Sequence, residues 1–339
     1  MQNISFEESL SLVKPVYIDV RAPIEYEEDH ITGAISIPIF DNAQRAEIGT
    51  LYKMAGRDQA VLRGTEIAGQ KLSDLIKQFQ ALKDRELVIY CARGGMRSKS
   101  VAELLNSLGM PVNRLIDGYK GYRRYVNMFF EKLDINCPIY ILQGLTGTGK
   151  TEIIHKLENA IDLEGMAGHR SSIFGGIGLE QKSQKCFETQ LFTRLHELTN
   201  AKCIVLEGES RKIGNLHIPE KLYAQMRAAN IFLIEADVER RVDIILNDYA
   251  SHTSLEIITP KVMSISQKIG KAASNLLVEL YSEGNMREFV RILFEKYYDP
   301  LYVHSLKKLQ FIAHIQNIDS EKAATEINAI IKKHSTTIT

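Results

Sequence analysis

The run from Gly144 to Thr151, Gly-Leu-Thr-Gly-Thr-Gly-Lys-Thr, constrains the fold more than any other feature of the chain. It fits the pattern G-x4-G-K-[ST], directly after an apolar strand at 139–142 and directly before a predicted helix that continues to Leu157. In that setting backbone N–H groups cradle a diphosphate, the lysine neutralises its terminal charge, and the threonine hydroxyl suits Mg²⁺. The sequence therefore predicts a phosphate-binding loop (P-loop) whose binding residues are Gly144, Thr146, Gly147, Gly149, Lys150 and Thr151.

A carboxylate and an arginine are predicted to complete this site. The apolar strand at 203–206 leads directly into Glu207, which is our first candidate for a Mg²⁺ ligand beside Thr151. A purely structural carboxylate accounts for Glu207 equally well. The glycine-rich and polar segment 162–175 predicts a ligand-contacting loop, in which Arg170 binds phosphate.

A second anion-binding loop is predicted around Cys91. The short apolar strand 87–90 ends at this cysteine, and the loop Ala-Arg-Gly-Gly-Met-Arg then leads into a helix at Ser98. A helix N-terminus and nearby guanidinium groups favour the thiolate, which is the reactive form of cysteine, and glycines let backbone N–H groups converge on an anion. A buried cysteine beside a plain turn would not require this combination. The candidate catalytic residues are therefore Cys91, Arg93 and Arg97, with Gly94 and Gly95 as anion-binding residues.

Two kinds of chemistry use a Cys-x5-Arg loop of this form. Cysteine phosphatases use it for phosphoryl transfer, and rhodaneses use a related loop for sulfur or selenium transfer. The loop motif alone does not choose between them. Taken with the P-loop alone, it also fits a cysteine phosphatase fused to a small-molecule kinase, which would turn over phosphate esters without a nucleic-acid partner.

The length of 339 residues favours two domains, each with its own hydrophobic core. The alternation of strands and helices stops near 133–138 and then restarts, so we predict domains at 1–132 and 133–339. Both are predicted to be α/β. The first should contain a parallel sheet, and the second should end in a mostly helical tail over 261–330.

Composition limits the classes of partner and compartment. Lys plus Arg and Asp plus Glu both number 42, so a nucleic-acid partner would need a local basic patch. The four cysteines form no CxxC pair, which argues against a disulfide framework and against a zinc site. The N-terminus lacks a basic stretch before an apolar run, and no segment reaches the roughly 18 apolar residues of a membrane span. We expect a cytoplasmic protein that does not bind membranes.

The surroundings of the cysteine loop resemble the rhodanese family. The likeness lies in Asp19-Val-Arg21, Glu25-Tyr26 and His30-Ile-Thr-Gly-Ala34, which precede the cysteine strand as in that family. The loop is one residue longer than is usual in rhodaneses, which would widen it for a tetrahedral anion such as selenophosphate. The resemblance also favours Asp19 and His30 as residues that fix the strand end and the following turn, rather than as catalytic acids or bases.

The whole combination resembles the tRNA 2-selenouridine synthase family. The cysteine loop 90–98, the run Gly118-Tyr-Lys-Gly-Tyr122 and the P-loop occur in that family's order. Further matching segments lie at 47–53, 162–175, 209–214 and 297–302. Two positions depart from the family pattern: Asp29 stands where a glycine is usual, and Ser171-Ser172 stands where a glycine-serine pair is expected.

The resemblance implies a substrate and two co-substrates. The substrate is 2-thiouridine at the wobble position of tRNAs that accept Lys, Glu and Gln, and selenophosphate is the selenium donor, so a selenophosphate-supplying enzyme is a candidate partner. The same family S-geranylates the thiouridine from geranyl diphosphate. Our hypothesis is that the P-loop holds geranyl diphosphate while the Cys91 loop handles selenophosphate. ATP at the P-loop is the competing interpretation, and a tRNA sulfurtransferase that delivers persulfide sulfur is the competing function.

A basic stretch after Asp117 is predicted to bind tRNA. Lys120, Arg123 and Arg124 would pair with phosphates, and Tyr122 would stack on an exposed base. The stretch follows a strand on the same sheet as the cysteine loop, at the carboxyl edge. The alternative is an ordinary solvated helix start whose tyrosines pack on the domain.

Overall fold

The computed structural model describes residues 2–248 and 254–337, with side chains described as far as residue 334. The chain forms two compact units. The first comprises the residues up to Lys132 together with Ser183–Thr193, and the second comprises Leu133–Lys182 and the residues from Arg194 onward. The sequence did not predict that the segment 183–193 packs with the first unit.

The first unit is built on a parallel sheet. Its strands are β1 (Gln2–Ile4), β2 (Val16–Asp19), β3 (Ile35–Ser36), β4 (Leu87–Tyr90) and β5 (Asn113–Leu115). They pair in parallel in the order β1-β5-β4-β2-β3. Every residue of β4 is buried, as expected for a central strand that is covered on both faces. The predicted parallel α/β architecture of this domain is confirmed.

Three helices of the first unit start at a capping residue or a proline. The helices of this unit up to Lys132 are α1 (Phe6–Ser9), α2 (Pro23–Glu28), α3 (Asn42–Ala55), α4 (Arg57–Gln80), α5 (Met96–Ser107) and α6 (Gly118–Lys132). Ser5 and Asp41 each accept the backbone N–H of the third residue of the helix that follows, and Pro23 occupies the first position of α2. The sequence predicted a helix from Ile67, whereas α4 begins ten residues earlier, after a left-handed Gly56 with φ of 88°.

The second unit repeats the plan with a different strand order. Its strands are β6 (Ile139–Gln143), β7 (Ala160–Ile161), β8 (Ile204–Glu207), β9 (Lys212–Ile213), β10 (Leu216–His217), β11 (Asn230–Glu235) and β12 (Ala313–Gln316). The parallel sheet has the order β12-β11-β6-β8-β7, and β9 and β10 form a separate antiparallel pair. The prediction of a mostly helical tail is confirmed, but the tail also contributes the edge strand β12, which the sequence did not predict.

Helices cover this sheet and form the tail. They are α7 (Lys150–Ile154), α8 (Leu163–Ala167), α10 (Glu220–Arg227), α11 (Val238–Asp248), α12 (Leu255–Ser264), α13 (Ser266–Ile269), α14 (Lys271–Ser282), α15 (Met286–Leu293), α16 (Asp299–Leu306) and α17 (Ser320–Thr337), with a π-helical turn at Phe294–Tyr298. Helix α9 (Gln184–Glu197) belongs to the first unit as far as Thr193 and to the second unit from Arg194. Helix α7 ends three residues before the predicted Leu157, because the chain passes into tight turns that bury Leu157 in the sheet core.

Each unit has a core of its own, and two core clusters are found among the described residues of the second unit. One core of the second unit lies on the sheet, and another lies among the tail helices α11, α12, α14 and α15. Within residues 2–248 and 254–337, no helix is both long and apolar enough to cross a membrane.

Candidate functional site

Cys91 lies where an open α/β sheet binds its ligands. It directly follows β4, and the connections that leave β4 and its neighbour β2 lead toward opposite edges of the sheet. Such a divergence opens a crevice at the carboxyl ends of the two strands. Cys91 is only 3% exposed, and the loop of residues 92–95 joins it to the N-terminus of α5. The sequence-predicted strand, loop and helix around Cys91 are confirmed.

The start of α6 packs against the cysteine loop and hydrogen-bonds to its backbone. The backbone N–H groups of Tyr119 and Lys120 donate to the carbonyls of Cys91 and Ala92 at 2.9 and 3.0 Å. Gly118 makes this approach possible, since its φ is 53° and a Cβ there would lie 2.0 Å from the Cys91 carbonyl oxygen. Only glycine can occupy that position without displacing the loop.

The Cys91 thiol has a hydroxyl partner. Cys91 Sγ lies 3.2 Å from Ser98 Oγ and 3.9 Å from the Gly95 carbonyl oxygen. Ser98 is fully buried in the first turn of α5, so its hydroxyl is held beside the sulfur. The Ser98 hydroxyl also donates to the Gly95 carbonyl at 3.3 Å, so it links the cysteine side chain to the backbone of the loop. The sequence indicated Ser98 as the helix start but gave it no chemical role.

Arg97 points to a carboxylate rather than over the loop. Its guanidinium forks onto Glu25, with Nη1 to Oε2 at 2.7 Å and Nη2 to Oε1 at 3.3 Å. Burial raises the pKa of Glu25, but the hydrogen bonds and charge of Arg97 outweigh burial and hold it below the ordinary value. An incoming anion therefore competes with Glu25 for Arg97. Arg93 is exposed and available at the loop surface.

Asp19 and His30 hold structure, as the sequence favoured. Arg21 donates to both carboxylate oxygens of Asp19, at 2.6 to 3.0 Å, and its guanidinium lies 4.0 Å over the ring of Tyr119. His30 Nδ1 donates to the Tyr26 carbonyl at 2.8 Å, and the two rings stack. Both side chains are thus engaged in fixing the ends of β2 and α2.

The P-loop occupies the corresponding place in the second unit. It joins β6 to α7, and the connections that leave β6 and its neighbour β11 lead toward opposite edges of the sheet. Lys150 Nζ donates back to the carbonyls of Gly144 and Leu145, at 3.1 and 3.3 Å, and so lies across the loop. Gly149 has φ of 79°, and a Cβ there would lie 2.3 Å from the Asn317 amide nitrogen. A cavity of about 240 Å³ opens over this loop.

Thr151 and Glu207 meet, as the sequence predicted for a magnesium site. Thr151 Oγ1 donates to Glu207 Oε1 at 2.7 Å, and the Glu164 backbone N–H donates to the other oxygen at 3.2 Å. Glu207 is 1% exposed; burial, followed by the charge of Asp162, raises its pKa to about 8. A hydroxyl and a carboxylate are the hard oxygen ligands that Mg²⁺ prefers, with phosphate and water supplying the rest. Among the described residues, no three His, Cys, Asp or Glu side chains cluster as a metal site.

Two further carboxylates and an arginine line the same cavity. Burial and then the charge of Glu209 raise the pKa of Glu164 well above its ordinary value, and burial also raises the pKa of Glu209. Arg170 lies in the cavity wall, where its guanidinium donates to the Asp248 carbonyl at 3.0 Å. The P-loop cavity is therefore lined both by cationic side chains and by carboxyl groups whose pKa values are raised by burial.

An apolar pocket adjoins the P-loop cavity. It measures about 70 Å³ and lies within the core of the tail helices. Thr146, Ser172 and Ile245 line both the pocket and the P-loop cavity, so the two spaces share a wall. Most of its other lining residues are apolar or aromatic; they include Phe174, Ile258, Met286, Phe289, Leu293 and Phe294. The sequence did not predict this pocket, because its lining comes from segments distant in the chain.

Comparison with known proteins matches both units. Residues 5–125 match the family model of the rhodanese-like domain, and residues 137–268 match that of the tRNA 2-selenouridine synthase AAA domain. A tRNA 2-selenouridine synthase from Hydrogenovibrio crunogenus is 32% identical over 86% of this chain and 90% of its own. The chain belongs to the tRNA 2-selenouridine synthase family.

Other relatives agree with this assignment. Synthases of the same name from Shewanella woodyi and Pseudomonas syringae are each 30% identical, over 86% and 87% of this chain and 88% and 90% of their own. A solved structure, the N-terminal domain of a provisionally assigned ATP/GTP binding protein from Clostridium difficile 630, is 46% identical. It covers 37% of this chain and 98% of its own, with a TM-score of 0.36.

The predicted tRNA-binding stretch of this synthase-family chain needs correction. Tyr122 is 1% exposed and packs edge-on against Phe6, so it cannot stack on a base in this conformation. Arg123 is largely buried and pairs with Glu188 of the segment 183–193. Lys120 is exposed, and Arg124 is exposed but pairs with Asp117, the residue before α6. The packing interpretation therefore holds for Tyr122 and Arg123, and only the other two side chains remain at the surface.

The departure from the family pattern at Asp29 has a structural explanation. Its carboxylate accepts hydrogen bonds from the Tyr119 hydroxyl at 2.7 Å and the Thr189 hydroxyl at 2.9 Å. Burial raises the pKa of Asp29, although these hydrogen bonds oppose the rise. Thr189 belongs to the segment that joins the first unit, so Asp29 fastens that segment where a glycine could not.

The second departure carries backbone strain. Ser171 has φ of 48°, in the left-handed region that glycine adopts freely, and it stands where the synthase family is expected to have glycine. A left-handed conformation costs a residue with a Cβ about 1 kcal/mol. Ser171 lines the P-loop cavity, so the strained turn shapes the wall that faces the ligand.

Two residues that hydrogen-bond to the backbone carbonyls of the P-loop were not identified from the sequence. Arg241 is 3% exposed; its Nε donates to the Thr146 carbonyl at 2.9 Å, and its other nitrogens fork onto Asp299 at 2.6 and 3.0 Å. Asn317, which directly follows β12, donates to the Thr148 carbonyl at 2.8 Å. Asp299 stood out within the family segment 297–302, but nothing in the sequence paired it with an arginine almost sixty positions earlier.

Proposed function

We propose that this chain is a tRNA 2-selenouridine synthase that replaces sulfur by selenium in wobble 2-thiouridine of tRNA, through an S-geranylated intermediate. The names of its relatives support the tRNA substrate and the selenated product. The observation that carries the geranyl step is the wall shared by the P-loop cavity and the apolar pocket. A ligand with a diphosphate head and a hydrocarbon tail would bring its charged part to the cavity and its apolar part to the adjoining pocket.

The apolar pocket favours geranyl diphosphate over ATP as the P-loop ligand. A nucleobase carries hydrogen-bonding groups, and each such group buried without a partner costs about 1 to 3 kcal/mol. The side chains Phe289, Leu293 and Phe294 offer no hydrogen-bonding atoms to satisfy them. An isoprenoid tail instead gains about 25 cal/mol for each Å² of apolar surface that it buries.

The proposed first step alkylates sulfur. The thiocarbonyl sulfur of 2-thiouridine attacks C1 of geranyl diphosphate, a C–S bond forms, the C1–O bond breaks, and the proton on N3 is released. Lys150 and the loop N–H groups stabilise the leaving diphosphate, since it gains negative charge as the bond breaks. Mg²⁺ held by Thr151 and Glu207 would neutralise part of the same charge.

The proposed second step exchanges sulfur for selenium. The Cys91 thiolate attacks phosphorus of selenophosphate, so that an S–P bond forms and the P–Se bond breaks. The hydrogen selenide ion released attacks C2, the C2–S bond breaks as geranylthiolate leaves, and the proton on selenium passes to N3. Water hydrolyses the phosphocysteine to phosphate, and the proton set free converts geranylthiolate to geranylthiol. We assign selenophosphate to the Cys91 loop, where the N–H groups of Gly94 and Gly95 and the guanidinium of Arg93 are available for a tetrahedral anion. Release of Arg97 from Glu25 would add a second guanidinium.

Mass spectrometry of tRNA nucleosides tests this division of labour. After incubation with geranyl diphosphate and selenophosphate, Cys91→Ser should accumulate geranylated thiouridine without selenouridine, because the hydroxyl keeps the shape but loses the thiolate. Lys150→Ala should form little geranylated nucleoside at low donor concentration, since a charge-assisted contact contributes about 1.5 to 3 kcal/mol. Full selenation by Cys91→Ser, or normal geranylation by Lys150→Ala, contradicts the assignment.

The same assay separates the competing functions. A tRNA sulfurtransferase would transfer sulfur from thiosulfate and ignore selenophosphate, and a phosphatase fused to a kinase would hydrolyse phosphate esters without tRNA. We further propose that the acceptors are tRNAs for Lys, Glu and Gln, that selenophosphate comes from a partner enzyme, and that the reaction takes place in the cytoplasm. Of the predicted tRNA-binding residues, Lys120 and Arg124 are the ones placed to contact its backbone.

A further inference from the structure

The apolar pocket follows one face of helix α15. Met286, Phe289, Val290, Leu293 and Phe294 all line it, at positions that differ by three, four, seven and eight residues from the first. Side chains at those spacings lie along one stripe of a helix. The pocket is therefore elongated along the helix axis rather than spherical.

One end of this pocket is fixed at the P-loop. A Cβ placed on Gly147 would lie 3.1 Å from Cζ of Phe294 and 3.2 Å from Cγ1 of Ile245, so these two side chains lie against the loop itself. Met286 precedes Phe294 by eight residues on the same helix, which corresponds to about 12 Å at 1.5 Å per residue. Met286 therefore marks the end that is remote from the diphosphate.

The remote end is closed by Met286 and Tyr281. Tyr281 is the second-to-last residue of α14, and Met286 is the first residue of α15, so both flank the turn between the two helices. The ring of Tyr281 packs 5.3 Å from that of Phe289, which in turn lies 6.2 Å from that of Phe174. Both Tyr281 and Met286 are half-buried, so beyond them the pocket would open to solvent.

We infer that Met286, supported by Tyr281, limits the length of the isoprenoid chain that this enzyme accepts. The inference rests on the proposed function, because it assumes a prenyl diphosphate at the P-loop. A chain that starts at the loop and runs along α15 meets the methionine side chain at the end of the pocket. A longer chain must displace it, whereas a shorter chain leaves apolar surface of Phe289 uncovered.

Prenyl diphosphates of different length test this inference. Purified full-length wild type, Met286→Ala and Met286→Phe are each given 2-thiouridine tRNA with dimethylallyl, geranyl or farnesyl diphosphate, and kcat/KM is measured for each from the alkylated nucleoside. Met286→Ala should raise the farnesyl-to-geranyl ratio about tenfold or more, the size of discrimination that a few methyl-sized groups produce. Met286→Phe should lower the geranyl-to-dimethylallyl ratio, because the larger ring shortens the pocket.

Control measurements distinguish a failure of the chain-length inference from a failure of the proposed function. Met263→Ala removes an exposed methionine of α12 that does not line the pocket, and it should keep the wild-type ratios. If wild type alkylates tRNA with geranyl diphosphate and both Met286 variants keep its ratios, the inference is wrong while the proposed function stands. If wild type alkylates tRNA with none of the donors, both fail. Ratios within one variant do not depend on how much of the protein is folded, so partial unfolding does not hide either result.

Discussion

Replacing Glu207 by glutamine should change how stability depends on pH. Burial, followed by the charge of Asp162, raises the pKa of Glu207 from 4.5 to about 8. The folded protein thus holds this proton more tightly than the unfolded chain does. Its stabilising effect is complete below pH 4.5 and is lost as the pH rises to about 8. Glu207→Gln stays neutral throughout and removes this dependence.

The expected size follows from the two pKa values. Each pH unit between them corresponds to about 1.4 kcal/mol, so wild type should lose about 3 kcal/mol of unfolding free energy relative to Glu207→Gln from about pH 6 to about pH 8. The substitution need not break local bonds. A glutamine can accept from the Glu164 N–H and donate to the Thr151 hydroxyl, the two partners that Glu207 has now.

Urea unfolding followed by far-UV circular dichroism, repeated across this pH range without Mg²⁺ or diphosphate, measures the effect. Glu326→Gln removes an exposed carboxylate of α17 and serves as the control, whose free energy of unfolding should run parallel to that of wild type. If the curve for Glu207→Gln is also parallel to wild type, Glu207 is already ionised in the folded protein and the reasoning is refuted.

Two further substitutions test how the loops are held. Arg241→Lys keeps the charge but loses the fork on Asp299 and the bond to the P-loop carbonyl, so the Kd for inorganic diphosphate should rise about tenfold in isothermal titration calorimetry. An unchanged Kd would mean that Arg241 supports the fold without positioning the loop. Gly118→Ala places a Cβ 2.0 Å from the Cys91 carbonyl oxygen, whereas Gly109→Ala, also at positive φ, meets nothing within 4 Å. Thermal unfolding should show Gly118→Ala to be about 1 to 3 kcal/mol less stable than Gly109→Ala; equal losses would show that the clash is relieved at no cost.

The two anion loops could be predicted because their chemistry is local. Strand, glycine turn and helix start follow one another within about ten residues, so a short stretch of sequence contains the whole anion-binding motif. Cys91 accordingly lies directly after β4, and Lys150 lies at the start of α7, as the sequence predicted. The contact between Thr151 and Glu207 could also be predicted, because parallel strands bring the residues that follow them to one edge of the sheet.

The partners that hold these loops could not be predicted in the same way. Glu25 reaches Arg97 across 72 positions, and Arg241 reaches Asp299 across 58. Charged residues are too common for such a pairing to be read from sequence, since each has many possible partners. The predicted stacking of Tyr122 on a base was wrong for a related reason. A tyrosine on a basic helix can stack on RNA or pack inward, and here it packs inward against Phe6, which is distant in the sequence.

The P-loop motif specifies a diphosphate but says nothing about the group that the diphosphate carries. Its N–H groups and Lys150 contact phosphate oxygens alone, and these are common to nucleotides and prenyl diphosphates. The attached group is met first by Ile245 and Phe294, which lie against Gly147. Phe294 belongs to the tail that the sequence described only as helical, and Ile245 belongs to α11, for which the sequence made no prediction. The choice between a nucleotide and a prenyl ligand therefore depends on how α11 and the end of α15 pack against the loop, and our proposal is that this packing accommodates a hydrocarbon.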